Sequence, residues 1–137
     1  MKKLIFMASA LAIAACTRVP ENIAGNHVFF DFDSANITDD ARDELESQAL
    51  YMKKNPNTNI TIEGRCDERG SSEYNLALGA LRAGNAAHVI IQDGVESERI
   101  KTISYGKEKP IYPGTGEDVW AKNRNATTRV QHTQPTE

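Results

Sequence analysis

The sequence predicts an α+β domain of two layers, a sheet with two long helices on one face, in the order β-α-β-α-β, short α, β. Two stretches of helical periodicity and several short alternating stretches predict it, with turn residues between them. Right-handed crossovers then bring both long helices to the same face. The 137 residues are one domain's worth of chain.

His27 to Phe32 alternates, with Val28, Phe30 and Phe32 on one face, which predicts a first strand. Asp33-Ser34-Ala35-Asn36 makes a turn, and Thr38 or Asp39 caps a helix from about Asp39 to Asn55. Ala41, Leu45, Ala49 and Met52 form its apolar stripe, and Asn55-Pro56-Asn57 stops it. Asn59 to Glu63 reads as a second strand, with Ile60 and Ile62 inward and Thr61 and Glu63 outward. Ser71 or Ser72 caps the second helix, with Glu73 where the macrodipole favours an acid. Its expected buried stripe is Leu76, Ala80, Ala83, Ala87 and Ile90, and Asp93-Gly94 ends it. Arg99 to Tyr105 gives a third strand through Ile100 and Ile103. After a loop with Pro110, Pro113, Gly114 and Gly116, a short helix over about Glu117 to Arg124 carries Trp120. A last strand, Ala126 to Gln131, completes the sheet. The sequence shows no internal repeat and no low-complexity segment.

The N-terminus reads as an export signal. Lys2 and Lys3 precede an apolar run from Leu4 to Ala15, about a dozen residues and too short to span a bilayer. The run ends Ile13-Ala14-Ala15-Cys16, the pattern of a bacterial lipoprotein signal, in which the cysteine receives the lipid. The expected organisation is a lipoprotein signal over 1–15, a lipidated Cys16 with a flexible tether to 26, a domain over 27–132 and a tail over 133–137. Removing 15 of 137 residues leaves 122, and losing two lysines takes the formal charge from −3 to −5. That acidic, mixed surface argues against nucleic acid as a partner. With Cys16 lipidated, Cys66 has no partner, so no disulfide framework is expected. The three histidines, His27, His88 and His132, have no metal-ligand spacing and read as surface or edge residues, and no cofactor is implied.

The residues that carry chemistry cluster in Gly64-Arg65-Cys66-Asp67-Glu68-Arg69-Gly70 and the helix after it. Asp67 lies between a strand and a helix, where a rigid scaffold positions loop residues. Asn75, Leu78 and Arg82 stand at i, i+3 and i+7 and share one helix face, with Arg82 beside the apolar stripe. A half-desolvated guanidinium binds carboxylates strongly. Asp67 and Arg82 together fit a ligand bearing both an ammonium and a carboxylate. They equally fit an internal salt bridge between loop and helix. Glu68 and Arg69 read as surface charges of the turn or partner contacts, Trp120 as an anchor for the short helix or a sugar-stacking platform, and Tyr74 as core or loop packing.

Several further motifs occur in a familiar order: Phe30-Asp31-Phe32-Asp33-Ser34, Glu63 to Gly70, Glu73-Tyr74-Asn75, Leu78-Gly79, Arg82-Ala83, Ser104-Tyr105-Gly106 with Lys109-Pro110, and Lys122-Asn123-Arg124. Over about Val28 to Val130 the chain resembles the OmpA-like domain family, and its Asp-Glu-Arg-Gly form resembles the peptidoglycan-associated lipoproteins within it. The resemblance implies the OmpA C-terminal-like fold with a mixed sheet. It implies non-covalent binding of peptidoglycan through the meso-diaminopimelate of the peptide stem. Asp67 would take the ammonium and Arg82 the carboxylate. Asp33 would line the pocket, Asn75 would tie loop to helix, Leu78 would form an apolar wall and Arg124 would lie near the ligand. It further implies attachment to the periplasmic face of the outer membrane through Cys16, a TolB-like periplasmic β-propeller as partner, and service in the Tol–Pal system during envelope constriction at cell division. The sequence departs from the family pattern at Arg65, where many relatives have His or Asn, at Cys66, where they have a small residue, and at Asn125, where an arginine is common.

Two other functions fit fewer residues. Asp67 and Glu73 are a conceivable glycosidase pair, but the chain shows no assembled nucleophile, base and oxyanion donor, and Glu73 is explained as a helix-start acid. The expectation is therefore a binding protein, not an enzyme. A protein-partner module without wall binding is the other alternative, kept in view by Arg65 and Asn125.

Overall fold

The computed structural model describes residues 18–131. The expected signal, the lipidated Cys16, His132 and the 133–137 tail lie outside the described residues. The strands are β1 (His27–Phe29), β2 (Asn59–Arg65), β3 (Ile100–Gly106) and β4 (Asn125–Gln131). The helices are α1 (Asp39–Lys54), α2 (Ser72–Gln92) and α3 (Glu117–Asn123). The sheet order is β1-β4-β2-β3, with β2 and β3 parallel and β4 antiparallel to both β1 and β2. The α+β class, the mixed sheet and the element order are as the sequence predicts.

Each long helix begins at a side-chain cap. Thr38 Oγ1 accepts from the Ala41 N–H at 3.2 Å, and Ser71 Oγ accepts from the Tyr74 N–H at 3.1 Å. Asp39 and Asp40 open α1 and Lys53 and Lys54 close it, the charge order that a helix dipole favours. The α1 stripe of Ala41, Leu45, Ala49 and Met52 is buried in one core with Val28, Ile60, Ile62 and Ala126 of the sheet, Phe30 just beyond β1, and Ala83, Ala86 and Ile90 of α2. Ile23 is also part of this core, and the Gly25 N–H donates to Thr128 O at 2.8 Å, so the segment read as a tether is fastened to the domain from Ile23 onward.

Three packing expectations need correction. The first strand stops at Phe29, and Phe32 is 60% exposed rather than inward, because Asp33 adopts a left-handed φ of 52° in the turn. On α2, Leu76 is 52% exposed and Ala80 is also exposed. Ala83, Ala87 and Ile90 are buried as expected, and the buried face otherwise runs through Asn75, Leu78, Gly79, Arg82, Ala86 and Val89. On β2, Glu63 is buried rather than outward, its carboxylate covered by Arg65 and Arg129.

The α2 correction follows from how closely the helix sits on the sheet. A Cβ added at Gly64 of β2 would stand 1.9 Å from Gly79 O, and one added at Gly79 would stand 2.3 Å from Ser104 Oγ. Main chain meets main chain here, so only a small-residue face of α2 fits. This contact brings the first half of α2 against the loop that leaves β2.

Candidate functional site

β2 and β3 end side by side, where the Cys66 N–H donates to Gly106 O at 2.9 Å. The chain then turns through Asp67 to Gly70, whose φ of 97° suits glycine, and enters α2 at its Ser71 cap. Asn75 fixes this turn by donating from Nδ2 to Arg69 O at 2.8 Å and Ser71 O at 3.1 Å, the loop-to-helix tie expected of it. A cleft of ≈480 Å³ lies against the turn. Asp33, Asp67, Tyr74, Asn75, Leu78 and Arg82 all line it, with Phe32 and Arg69 at its side.

Asp67 is 4% exposed, and both of its oxygens are engaged. Oδ1 accepts from the Arg69 backbone N–H (3.0 Å) and Nε (3.2 Å); Oδ2 accepts from Arg69 Nη2 (2.9 Å) and Arg124 Nη1 (3.5 Å). Burial alone would raise the Asp67 pKa. The hydrogen bonds and charge of Arg69, with Arg124 behind them, outweigh it and hold the carboxyl below the usual aspartate value. Arg69 is in turn sandwiched between two rings, 4.0 Å from Phe32 and 4.1 Å from Trp120. A guanidinium over aromatic faces gains a cation–π attraction on each side. Trp120 anchors α3 as expected, its Nε1 donating to Glu68 Oε1 at 2.8 Å.

Arg82 is 1% exposed and belongs to the buried face of α2 rather than its margin. Its Nε, Nη1 and Nη2 donate to Ser34 O (2.8 Å), Arg65 O (2.9 Å) and Asp31 O (3.1 Å). Burial pulls its pKa below the ordinary arginine value. The internal ion pair of the turn joins Asp67 to Arg69 and Arg124, so Arg82 keeps its charge for the cleft. A guanidinium has five N–H donors, and the three carbonyls leave one on each terminal nitrogen.

Other expected residues divide cleanly. Asp33 lines the cleft and accepts a hydrogen bond from the Tyr74 hydroxyl, which raises the Tyr74 pKa. Tyr74 is thus a cleft residue instead of core packing. Leu78 supplies the apolar wall. Arg124 does not line this cleft; it stands behind Asp67, also donating to Glu117 Oε1 at 2.9 Å and Phe30 O at 2.9 Å. Arg69 and Phe32 were missed as site residues. The Asp-x-Arg spacing was a usable signal for Arg69, because a turn aspartate accepts from the N–H two residues on.

The three departures from the family pattern lie off the cleft or beneath it. Arg65 donates to Lys109 O (2.8 Å) and Glu63 (3.1 Å) and lies over the Tyr105 ring. Asn125 is fully buried, donating to Lys122 O at 2.8 Å. Cys66 borders the cleft as a buried thiol donating to Asn75 O at 3.2 Å, and burial pushes its pKa up. Glu73, the second carboxylate of the glycosidase alternative, is not among the cleft residues.

The OmpA family matches this chain over residues 29–124. A peptidoglycan-associated lipoprotein of Rhizobium meliloti (strain 1021) is 49% identical, over 76% of this chain and 59% of its own length. One from Mesorhizobium japonicum is 38% identical, over 93% of this chain and 90% of its own. The chain therefore spans about three fifths of the Rhizobium relative, and nearly all of the Mesorhizobium one. Among solved structures, the peptidoglycan-associated lipoprotein from Burkholderia pseudomallei matches with a TM-score of 0.74 at 43% identity, over 77% of this chain and 89% of that one. The C-terminal domain of Helicobacter pylori MotB matches with a TM-score of 0.73 at 24% identity, a likeness of fold alone.

Proposed function

The chain belongs to the OmpA family, and from that premise we propose that it is a wall-binding lipoprotein. Its domain binds peptidoglycan non-covalently through the diaminopimelate of the peptide stem, and a lipid on Cys16 holds it to the periplasmic face of the outer membrane. The observation that carries this reading is the convergence of Asp33, Asp67, Asn75, Leu78 and Arg82 on one cleft. Carboxylates stand at its turn side and a buried guanidinium at its helix side. A ligand with an ammonium and a carboxylate a few bonds apart matches that order of charge.

In this reading Arg82 receives the ligand carboxylate on its two remaining N–H groups, and Leu78 covers the ligand's methylene stem. The ammonium goes to the acidic side, Asp67 and Asp33. Because Asp67 already holds Arg69 on both oxygens, the ammonium shares or displaces that guanidinium, and Asp33 becomes the more accessible of the two acids. The domain works by binding and performs no turnover.

The path of the chain supports the anchor. Arg18 lines a hollow with Asp43, Glu46, Leu50 and Asp93, at the far end of α2 from the cleft. The cleft reaches along α2 as far as Arg82, eleven positions before Asp93, so at 1.5 Å per residue the helix separates the two by roughly 16 Å. Among the described residues no helix is long and apolar enough to cross a membrane. A domain held at Arg18 turns its cleft away from the membrane. On the same family reading, the partner is a TolB-like periplasmic β-propeller and the setting is the Tol–Pal system during constriction at division.

Co-sedimentation of the chain lacking residues 1–16 with purified sacculi tests the proposal, beside Asp67→Asn, Asp33→Asn and Arg82→Leu. Asparagine tolerates the left-handed backbone at position 33, and circular dichroism checks each fold. Wild type should pellet while folded Asp67→Asn and Arg82→Leu stay in solution. If wild type stays in solution, wall binding is wrong and a protein-partner module becomes the reading.

A further inference from the structure

A second cleft, of ≈550 Å³, lies along β1. Five consecutive residues line it, His27 to Asp31. Successive strand side chains face opposite ways, so an unbroken run means that the strand's edge, not one face, forms the floor. β1 is an outer strand, paired to β4 alone. The Thr128 N–H donates to Asn26 O (2.8 Å) and the Phe30 N–H to Arg124 O (2.9 Å). The antiparallel alternation therefore turns Asn26, Val28 and Phe30 toward β4, and turns the N–H and C=O of His27 and Phe29 toward the cleft. The first half of α1 walls one side, and Ala121 and Lys122 of α3 wall the other. Beside the same floor, His27 Nδ1 is buried with no hydrogen-bond partner.

Natural sheets blunt such edges with lysine, proline or bulges. The opposite edge, β3, carries Lys101. β1 reads His-Val-Phe, with no charge, and Phe29 is 47% exposed. The charges sit on the lips of the slot instead. Asp31 and Asp40 are exposed and join no ion pair among the described residues. Glu44 uses one oxygen for Asn26 and Gln48. Against these three carboxylates stand Lys122, over the Tyr112 ring, and Arg124, whose charge is already engaged by Asp67 and Glu117.

We propose that this slot binds an extended, lysine- or arginine-bearing segment of a partner protein, which adds to β1 as a fifth strand. Main-chain bonds to His27 and Phe29 supply the pairing, and the acidic lips supply the preference for basic side chains. A second copy of this chain is a poorer occupant, because β1 against β1 would set two acidic lips together. The slot opens on the β1 edge, and the inference stands apart from wall binding.

The probe is a fluorescent, end-capped peptide of alternating lysine and valine, titrated by anisotropy onto the full chain in detergent. Controls are the same peptide with glutamate for lysine, and one with alternate backbone nitrogens methylated. Phe29→Pro removes one edge N–H that the sheet does not use, a change edge strands tolerate, and Asp31→Lys with Asp40→Lys reverses the lips. The lysine peptide should bind saturably and slow hydrogen exchange at the His27 and Phe29 amides. Methylation, Phe29→Pro, lip reversal and the glutamate peptide should each weaken binding roughly tenfold or more, the scale of one or two such bonds. Binding that ignores backbone methylation overturns the strand-addition proposal, whatever becomes of Phe29→Pro. So does absence of binding at millimolar peptide, or a dimer of the chain that Phe29→Pro dissolves.

Discussion

Replacing Gly64 with alanine puts one methyl group between α2 and the sheet. The new carbon would lie 1.9 Å from Gly79 O and 2.7 Å from Gly79 C. Carbon–oxygen contacts in folded proteins rest at about 3.3 Å or more, so α2 would have to retreat by roughly 1.4 Å. Both obstructing atoms are main chain, and no side-chain rotation relieves them. A gap of 0.5–1 Å already forfeits about a quarter to a half of each van der Waals contact. Overpacking a tight core costs about 1–3 kcal/mol, and a backbone-on-backbone clash belongs at the upper end. We expect a loss of ~3 kcal/mol, a fall in melting temperature of about 12 °C at ~4 °C per kcal/mol. Gly84→Ala is the matched control, because a Cβ there meets nothing within 4 Å. Removing a glycine from a helix interior should stabilise by about 0.5–1 kcal/mol. Urea unfolding of the two variants measures the difference directly. A Gly64→Ala loss under about 1 kcal/mol, or equal losses in both variants, would refute the close contact as the reason α2 shows its small-residue face to the sheet. The same retreat would lift Asn75, Leu78 and Arg82 from Asp67, so folded Gly64→Ala should also bind sacculi poorly.

Three more outcomes follow from single contacts. The Asp67 and Glu63 pKa values are lowered by their arginine partners against the opposing effect of burial. Their stabilisation is therefore complete above the unfolded carboxylate pKa of ~4 and is lost as pH falls through the depressed folded values; urea midpoints from pH 7 to 2 should drop only below about 4, and less steeply in Asp67→Asn. Cys66 is 2% exposed with a raised pKa, so a thiol reagent at pH 8 should react slowly with the native chain lacking residues 1–16 and promptly in denaturant; prompt native labelling contradicts the burial. Thr38→Ala removes the α1 cap and should destabilise by ~1 kcal/mol in the same urea assay.

The elements were legible because their signals are local. Thr38 and Ser71 announce the helix starts, and Ala41, Leu45, Ala49 and Met52 sort themselves at helical spacing. The buried face of α2 was not legible, because alanine and leucine populate the helix on nearly every side. Periodicity alone favours Leu76 and Ala80 as well as Leu78 and Ala83. The choice is made by Gly64 of β2, whose carbonyl side meets Gly79 at backbone distance. A leucine there would not fit, so Leu76 is left at the surface and an arginine, Arg82, is carried into the interior. Likewise the alternation of Val28, Phe30 and Phe32 continues past Phe29, where the strand stops, so the turn at Asp33 was legible but the strand's early end was not.

The site was legible to the same depth. Asn75, Leu78 and Arg82 share a helix face because seven residues of helix decide it, and the structure brings all three to the cleft. The arginines required long-range information. Arg65, Arg69, Arg82 and Arg124 carry one charge each, yet one ties Glu63, two hold Asp67, and one is held by carbonyls. What assigns Arg69 to Asp67 is the pair of rings around it, Phe32 and Trp120, 37 and 51 positions away in the chain. This arrangement alters the chemistry of the cleft. Asp67 is neutralised before any ligand arrives, and the unpaired charge that remains at depth is the cation of Arg82. On the proposed wall-binding reading, the carboxylate of a zwitterionic ligand would therefore meet the stronger unsatisfied partner, while its ammonium would compete with a guanidinium held from both sides.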